Sequence, residues 1–211
     1  MQTRKTSLNR KKTQKRYSTI LPRIYNGLSG FGINTNGMNH KTTYGELCEE
    51  SIPVLYEIFS TYAPLTNIAA PYKNFYDLGS GIGKVIIGMA YMNSSLKCTG
   101  IEVVAERVVH ANTALQRLRD DSVKRRIELV CISMLDDSIN YGNACWIFIS
   151  NLPLEDNTNT LLFEKLAKEC KLGTIVICSK AVSNPSFSFL NNITLPMSWS
   201  NESKVFVYKK I

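Results

Sequence analysis

The stretch Asp77-Leu78-Gly79-Ser80-Gly81-Ile82-Gly83 is where residue types and spacing point most directly to chemistry. The apolar pair Phe75-Tyr76 leads into it, and the helix-like run from Lys84 to Met92 leads out. A strand that ends in a glycine turn and opens into a helix presents bare backbone N–H groups and a helix N-terminus to a ligand. Glycine is needed there because a Cβ blocks the approach or forbids the dihedrals. The partner of this turn is Glu102, which closes the apolar run from Leu96 to Ile101. An acid about 20 residues beyond the glycines, at the end of the second strand, can accept hydrogen bonds from both ribose hydroxyls. The dinucleotide fingerprint needs a further glycine at position 84, where this chain has Lys84. The pattern therefore implies an adenosine-containing ligand other than a dinucleotide, against the plainer reading of a strand-to-helix connection and a surface acid.

The surrounding periodicities supply the frame. Leu47, Leu55, Ile58, Phe59 and Tyr62 recur at helical steps, which predicts a helix over 46–62 that Pro64 ends. Beyond the glycine turn the expected order is strand 96–102, helix 105–118, strand 127–132, strand 145–149, helix 158–170 and strand 174–179. Strands alternating with helices predict a mostly parallel sheet with helices on both faces, and the wholly apolar runs 146–149 and 175–178 suit strands covered on both sides. The segments 193–199 and 204–208, joined by the polar Ser200 to Ser203, predict an antiparallel terminal hairpin. Asn26 to Asn39, rich in Gly and Asn, reads as a loop.

With 211 residues and 44% hydrophobic content, one well-packed domain is expected over 26–211, behind a basic tail over 1–25. No run of about 18 apolar residues exists to cross a bilayer, and the polar, basic first residues argue against secretion. The six cysteines form no C-x-x-C pair and no zinc spacing, so reduced thiols in an intracellular protein and no metal site are expected. Of the net charge of +8, a concentrated share lies in Arg4, Lys5, Arg10, Lys11, Lys12, Lys15 and Arg16, with no acid among them. Such a run is either a solvated tail, a localisation signal or a polyanion contact whose strength falls with salt. Its functional reading is contact with DNA or another acidic surface of a nucleosome.

The D-x-G-x-G-x-G loop is typical of class I S-adenosylmethionine (SAM) methyltransferases, and four segments between Thr43 and Tyr208 resemble the Dot1 family of histone-lysine methyltransferases. Tyr44-Gly45-Glu46 is similar to the family's Y-G-E signature. Asp77 to Gly83 matches its D-L-G-S-G-x-G, and Gly100-Ile101-Glu102 its G-V-E. Phe148-Ile149-Ser150-Asn151 stands where the family has F-V-N-N, and Ser179-Lys180 with Ser198-Trp199 resembles its S-S-K and S-W segments. The chain departs from the pattern at Ser150, at Lys84 in place of a glutamine, and at Ile132-Ser133-Met134 in place of G-D-F, with Asp136 displaced from the acid's position. No long helical domain precedes the Y-G-E, so a reduced version of the family is expected.

The resemblance implies a Rossmann-like class I fold with seven strands, SAM as cofactor, and methyl transfer to a lysine of a histone or histone-like protein, with the family's histone H3 core-lysine specificity. It implies a cofactor site of Tyr44, Glu46, Asp77, Gly79, Ser80, Gly81, Gly83, Lys84, Glu102, Ser133 and Met134. It places Ser150, Asn151 and Tyr44 beside the reacting groups and makes Phe148, Trp199 and Phe206 candidate walls of a lysine channel. Read residue by residue, alternatives stand beside these roles. Asp77 fixes the turn, holds the cofactor's ammonium or caps the next helix. Glu46 binds that ammonium or favours the helix dipole from a first turn. Tyr44 closes over the site or staples the helix start, the three aromatics are channel or plain core, and His40 and His110 have no identifiable partner. A nucleosome substrate, a monomer and residence in the nucleus or another chromatin-containing compartment follow from the resemblance. The competing readings are a class I methyltransferase for RNA or a non-histone protein, and a SAM- or nucleic-acid-binding module without turnover.

Overall fold

The computed structural model describes residues 17–35, 44–65 and 73–211. The basic cluster from Arg4 to Arg16, Thr43 and His40 lie outside those residues. Among the described residues the helices are α1 (17–24), α2 (Ser51–Tyr62), α3 (Lys84–Met92), α4 (Ala105–Gln116), α5 (Asp121–Lys124) and α6 (Asp156–Glu169). The strands are β1 (Lys73–Leu78), β2 (Leu96–Glu102), β3 (Ile127–Cys131), β4 (Ala144–Ile149), β5 (Ile175–Cys178), β6 (Phe187–Met197) and β7 (Ser200–Lys210).

The seven strands form one sheet in the order β3-β2-β1-β4-β5-β7-β6. The first five are parallel, β7 runs antiparallel to β5, and β6 pairs antiparallel with β7. The chain leaves β1 toward β2 on one side and returns as β4 on the other, so the carboxyl ends of β1 and β4 flank the switch point where open α/β sheets bind ligands.

Alternation along β4 divides the interior. Trp146 and Phe148 join a core with Tyr17, Leu21 and Ile24 of α1, Leu55 and Phe59 of α2, and Ile86 and Met89 of α3. Ile147 and Ile149 face a second core with Leu162, Phe163 and Leu166 of α6 and with Tyr141. Helices therefore cover both faces, densely on the first and with α6 and the 132–141 loop on the second.

Three expectations are corrected. The helix before β1 starts at Ser51, not at residue 46. Pro53 is tolerated in a first helical turn, where its missing N–H has no partner to lose, but it opposes extension of the helix upstream. Residues 44–48 instead run beside the terminal hairpin, with Leu47 bridged to Met197. The hairpin turn lies at 198–199, and Ser200 to Ser203 belong to β7. The tail ends earlier than residue 25, because Tyr17, Leu21, Ile24 and Tyr25 are buried under α2 and α3.

Candidate active site

The glycine turn is built as the sequence demands. Gly79, Gly81 and Gly83 have φ of 85°, 55° and 81°, a region that L side chains rarely adopt. The N–H groups of Gly79 and Ser80 both donate to the Ile101 carbonyl, at 2.8 and 3.0 Å, which folds the turn back onto β2. Helix α3 then opens at Lys84 with no side-chain cap. Asp77 is therefore not the cap of α3.

Glu102 is buried at the end of β2. Its Oε2 accepts from Gly81 N at 2.9 Å, and its Oε1 accepts from Val103 N and Val104 N at 3.0 and 2.9 Å. A carboxylate has about four lone-pair sites, so these three bonds fix its aim and leave acceptor capacity for a ribose. Gly100 is explained by its neighbour: a Cβ there would lie 2.8 Å from Ser80 Oγ. That hydroxyl is buried and has no hydrogen-bond partner among the described residues.

Two compartments meet at Gly79. One is lined by Ile101, Glu102, Val103, Ile132, Ser133, Met134, Leu135, Leu154, Glu155 and Thr158. Its walls are mostly apolar, as a flat heterocycle needs, and Glu102 lies at its floor. The other is lined by Tyr44, Gly45, Glu46, Leu47, Asp77, Ser80, Gly81, Lys84, Val85, Phe148 and Ser150. Asp77 is buried there, and desolvation together with the negative charge of Glu102 pushes its carboxyl up to about 8. A buried acid raised in this way favours a cationic group placed beside it.

Tyr44 covers the glycine turn. Cβ atoms on Gly30 and Gly81 would fall 2.1 and 2.6 Å from its ring, so the ring lies between two backbones that only glycine leaves free. Its hydroxyl donates to Glu46 Oε1 at 2.6 Å, accepts from Ile82 N at 3.4 Å, and is pushed above the usual phenol range by burial and by Glu46. Phe31 meets its edge at 4.9 Å between centroids. Glu46 Oε2 pairs with Lys84 Nζ at 2.6 Å. Glu46 is thus in a loop, engaged with Tyr44 and Lys84, and not in a helical first turn.

The same loop joins the hairpin tip. Glu46 N donates to Ser198 Oγ at 2.9 Å, Ser198 N donates to the Glu46 carbonyl at 2.8 Å, and Cys48 N donates to the Pro196 carbonyl at 3.1 Å. The Trp199 ring lies against Gly45, where a Cβ would be 2.2 Å from it, and the side chain remains 41% exposed. Phe148 and Ser150 line the second compartment together with Gly45, against which the Trp199 ring packs.

Other expected residues are placed elsewhere. Asn151 is fully buried: its amide donates to Asn159 Oδ1 at 2.6 Å, and its oxygen accepts from Lys180 N at 2.8 Å and Ser179 Oγ at 3.3 Å. These partners use it to tie β4 to β5 and α6, so the expected contact of Asn151 with the incoming amine is corrected. Phe206 packs with the α6-side core, while Phe148 and its β7 neighbours Val205 and Val207 belong to the opposite core. It cannot line a channel with Phe148. Asp136 turns back on Ser138, bonding its N–H and hydroxyl, and is absent from the groove lining. Ser133 Oγ accepts from Leu135 N at 3.2 Å and so shapes the groove wall. His110 meets the Ser29 carbonyl at 2.8 Å on the surface. The sequence reading missed Leu135, Leu154, Glu155 and Thr158, which carry no motif, and Arg107, whose buried position only the packing reveals.

A family model described as histone methylation protein DOT1 matches residues 34–208. A protein-lysine N-methyltransferase of Saccharolobus islandicus (strain REY15A) is 31% identical over 102 residues, which are 48% of this chain and 58% of that protein. The alignment thus spans little more than half of that relative's length. Among solved structures, the glycopeptide N-methyltransferase MtfA complexed with SAM superposes with a TM-score of 0.57 at 12% identity, covering 84% of this chain and 89% of the other. The mitomycin 7-O-methyltransferase MmcR gives 0.54 at 11% identity, over 77% and 54%. These likenesses show the class I methyltransferase fold, and that one fold serves both nitrogen and oxygen acceptors in those proteins.

Proposed function

Since this chain belongs to the histone methylation protein DOT1 family, we propose that its groove binds SAM and that it methylates a lysine of a histone or histone-like protein. The observation that carries the reading is the loop 44–48, which lies over the glycine turn at one end and is hydrogen-bonded to the Ser198-Trp199 tip at the other. One short segment thereby borders both a nucleotide compartment and an aromatic wall.

The residues present fit the cofactor. Glu102 would hold the ribose, and the apolar wall of Ile101, Ile132, Met134 and Leu154 would hold the adenine. Asp77 would take the ammonium of the methionine part, since Glu46 already serves Lys84 and Tyr44. Bound SAM supplies an activated methyl on a sulfonium, so no nucleophilic side chain is required of the protein. The chain must bind, align and exclude water. A lysine acceptor has to be neutral, which near pH 7 costs about 4.6 kcal/mol from its ordinary value near 10.4. Phe148, which lines the second compartment, and the Trp199 ring packed on Gly45 beside it would lower that cost by desolvating the amine and would restrict its approach. Ser150, which lines the same compartment, offers a hydroxyl to orient the nitrogen.

The cluster from Arg4 to Arg16 would add nucleosomal DNA contacts, and residence with chromatin follows from that substrate. Labelled SAM offered with separate pools of nucleosomes, free histones, DNA and RNA tests the reading. Label in histone protein is expected. Label on RNA alone points to an RNA methyltransferase, and SAM binding with no transfer to any pool points to a module without turnover.

A further inference from the structure

Arg107 of α4 is buried beside the nucleotide compartment without lining it, its side chain 6% exposed. One guanidinium nitrogen lies 3.8 Å from Glu102 Oε1, and the guanidinium carbon lies 4.4 Å from the centroid of the Tyr44 ring. A planar guanidinium can face a carboxylate and stack on an aromatic ring at once, which a lysine ammonium does not reproduce. Glu102 and Tyr44 also share Gly81, whose N–H bonds the carboxylate and whose Cα faces the ring.

From Tyr44 the contacts continue. Its hydroxyl bonds Glu46, whose backbone N–H and carbonyl both bond Ser198, and the next residue is Trp199 over Gly45. A continuous series therefore runs Glu102, Arg107, Tyr44, Glu46, Ser198, Trp199, from the floor of the ribose site to the aromatic wall of the acceptor side. Each link up to Ser198 is a charged, stacked or hydrogen-bonded contact, and the last is the peptide bond from Ser198 to Trp199.

We propose that Arg107 is a positioning residue that couples ribose binding at Glu102 to the placement of Trp199, so that a bound adenosine cofactor shapes the acceptor channel. The inference rests on the reading of Glu102 as the ribose acid. A ribose that draws on Glu102 changes the field at Arg107, and Arg107 adjusts the Tyr44 ring it faces. The loop 44–46 moves with Tyr44, and the hairpin tip is tied to that loop. Cofactor binding then precedes productive acceptor binding.

The chain contains two tryptophans, Trp146 wholly buried in the core and Trp199 at the tip, so tryptophan emission reports on the tip. S-adenosylhomocysteine is the probe, titrated calorimetrically and by fluorescence into the wild-type chain and into Arg107→Met, Arg107→Lys, Tyr44→Phe and Trp199→Phe. The wild type is expected to bind and to change its emission, and Trp199→Phe to bind without the change. Arg107→Met is expected to raise Kd roughly tenfold, the scale of a desolvated cation–π contact, and to lose the emission change even at saturation. Arg107→Lys is expected to keep more of the affinity and still lose the change. Tyr44→Phe keeps the ring but not the bond to Glu46, so it is expected to bind nearly as the wild type with a blunted change. Thermal melts show which variants fold, and the Lys and Phe variants carry the test if the Met variant does not. An emission change retained in Arg107→Lys and Tyr44→Phe, or absent from the wild type despite binding, overturns the coupling. No binding by the wild type at all overturns the cofactor reading instead.

Discussion

On the nucleotide side of the groove the fixed contacts are short in sequence, Glu102 holding the amides of Val103 and Val104 and reaching Gly81 only 21 residues away. On the acceptor side the loop 44–48 meets the hairpin tip across 152 residues, through the bond from Glu46 to Ser198. The first half is a property of two adjacent parallel strands and the turn between them. The second exists only once the last strand pair has closed the sheet. Backbone geometry thus sets the nucleotide side locally, while the side formed by loop 44–48 and the hairpin tip depends on long-range closure of the sheet.

Substitutions that separate the two halves sharpen this contrast. The largest effect is expected from Gly81→Val, which places a β-branched residue at φ 55° with its Cβ 2.6 Å from Tyr44. Backbone strain of about 1–3 kcal/mol comes on top of that clash, and SAM binding by calorimetry should be lost. Glu102→Ala should weaken SAM binding by about 1.5–3 kcal/mol, the scale of a hydrogen bond to a charged group. An unchanged Kd would remove Glu102 from the ribose site.

The acceptor side should respond differently. Trp199→Ala is expected to lower kcat/KM for the protein acceptor by roughly tenfold, about 1.4 kcal/mol, while the Kd for SAM stays within about twofold of the wild type. Phe206→Leu, on the other face of the sheet, should leave both kinetic constants near the wild-type values and cost about 1 kcal/mol of stability by thermal melt. A large loss of acceptor turnover in Phe206→Leu would return that residue to the channel.

Asp77 links the nucleotide side to pH. Its carboxyl goes from an ordinary value of 3.8 in the unfolded chain to about 8 in the fold, so between these values the folded protein holds the extra proton. Stability of the ligand-free protein should therefore fall as pH rises from about 4 to about 8. Asp77→Asn should flatten that dependence in thermal melts. If Asp77 receives the cofactor's ammonium, binding near pH 7 releases a proton, which appears as a buffer-dependent enthalpy in the wild type and not in the variant.

The nucleotide half was largely legible in the sequence, because a positive φ and a close approach demand glycine and no other residue. Gly79, Gly81 and Gly83 therefore announce their conformations, and β2 is marked by Leu96, Cys98 and Ile101 leading to Glu102. The acceptor half was less legible for definite reasons. Leu47 falls on the helical period of α2 yet is buried through a bridge to Met197, so periodicity extended the helix across a loop. The face on which Phe206 points depends on strand register, and a shift of one residue reverses it. Asn151 matches a motif by position, but its amide is spent on Asn159, Ser179 and Lys180. In α1 the buried stripe of Tyr17, Leu21 and Ile24 directly follows the basic run, whose charge masked it.

The central claim is that the groove carries a methyl from SAM to the side-chain nitrogen of a lysine admitted past Trp199. It is tested most directly by mapping the product: wild-type protein and Trp199→Ala are each incubated with SAM and nucleosomes, and the histones are digested and sequenced by tandem mass spectrometry. The account predicts methyl groups on a lysine side chain with the wild type and their strong reduction with Trp199→Ala at saturating SAM. Methylation of another residue type, or of nucleic acid with no modified lysine, would contradict it.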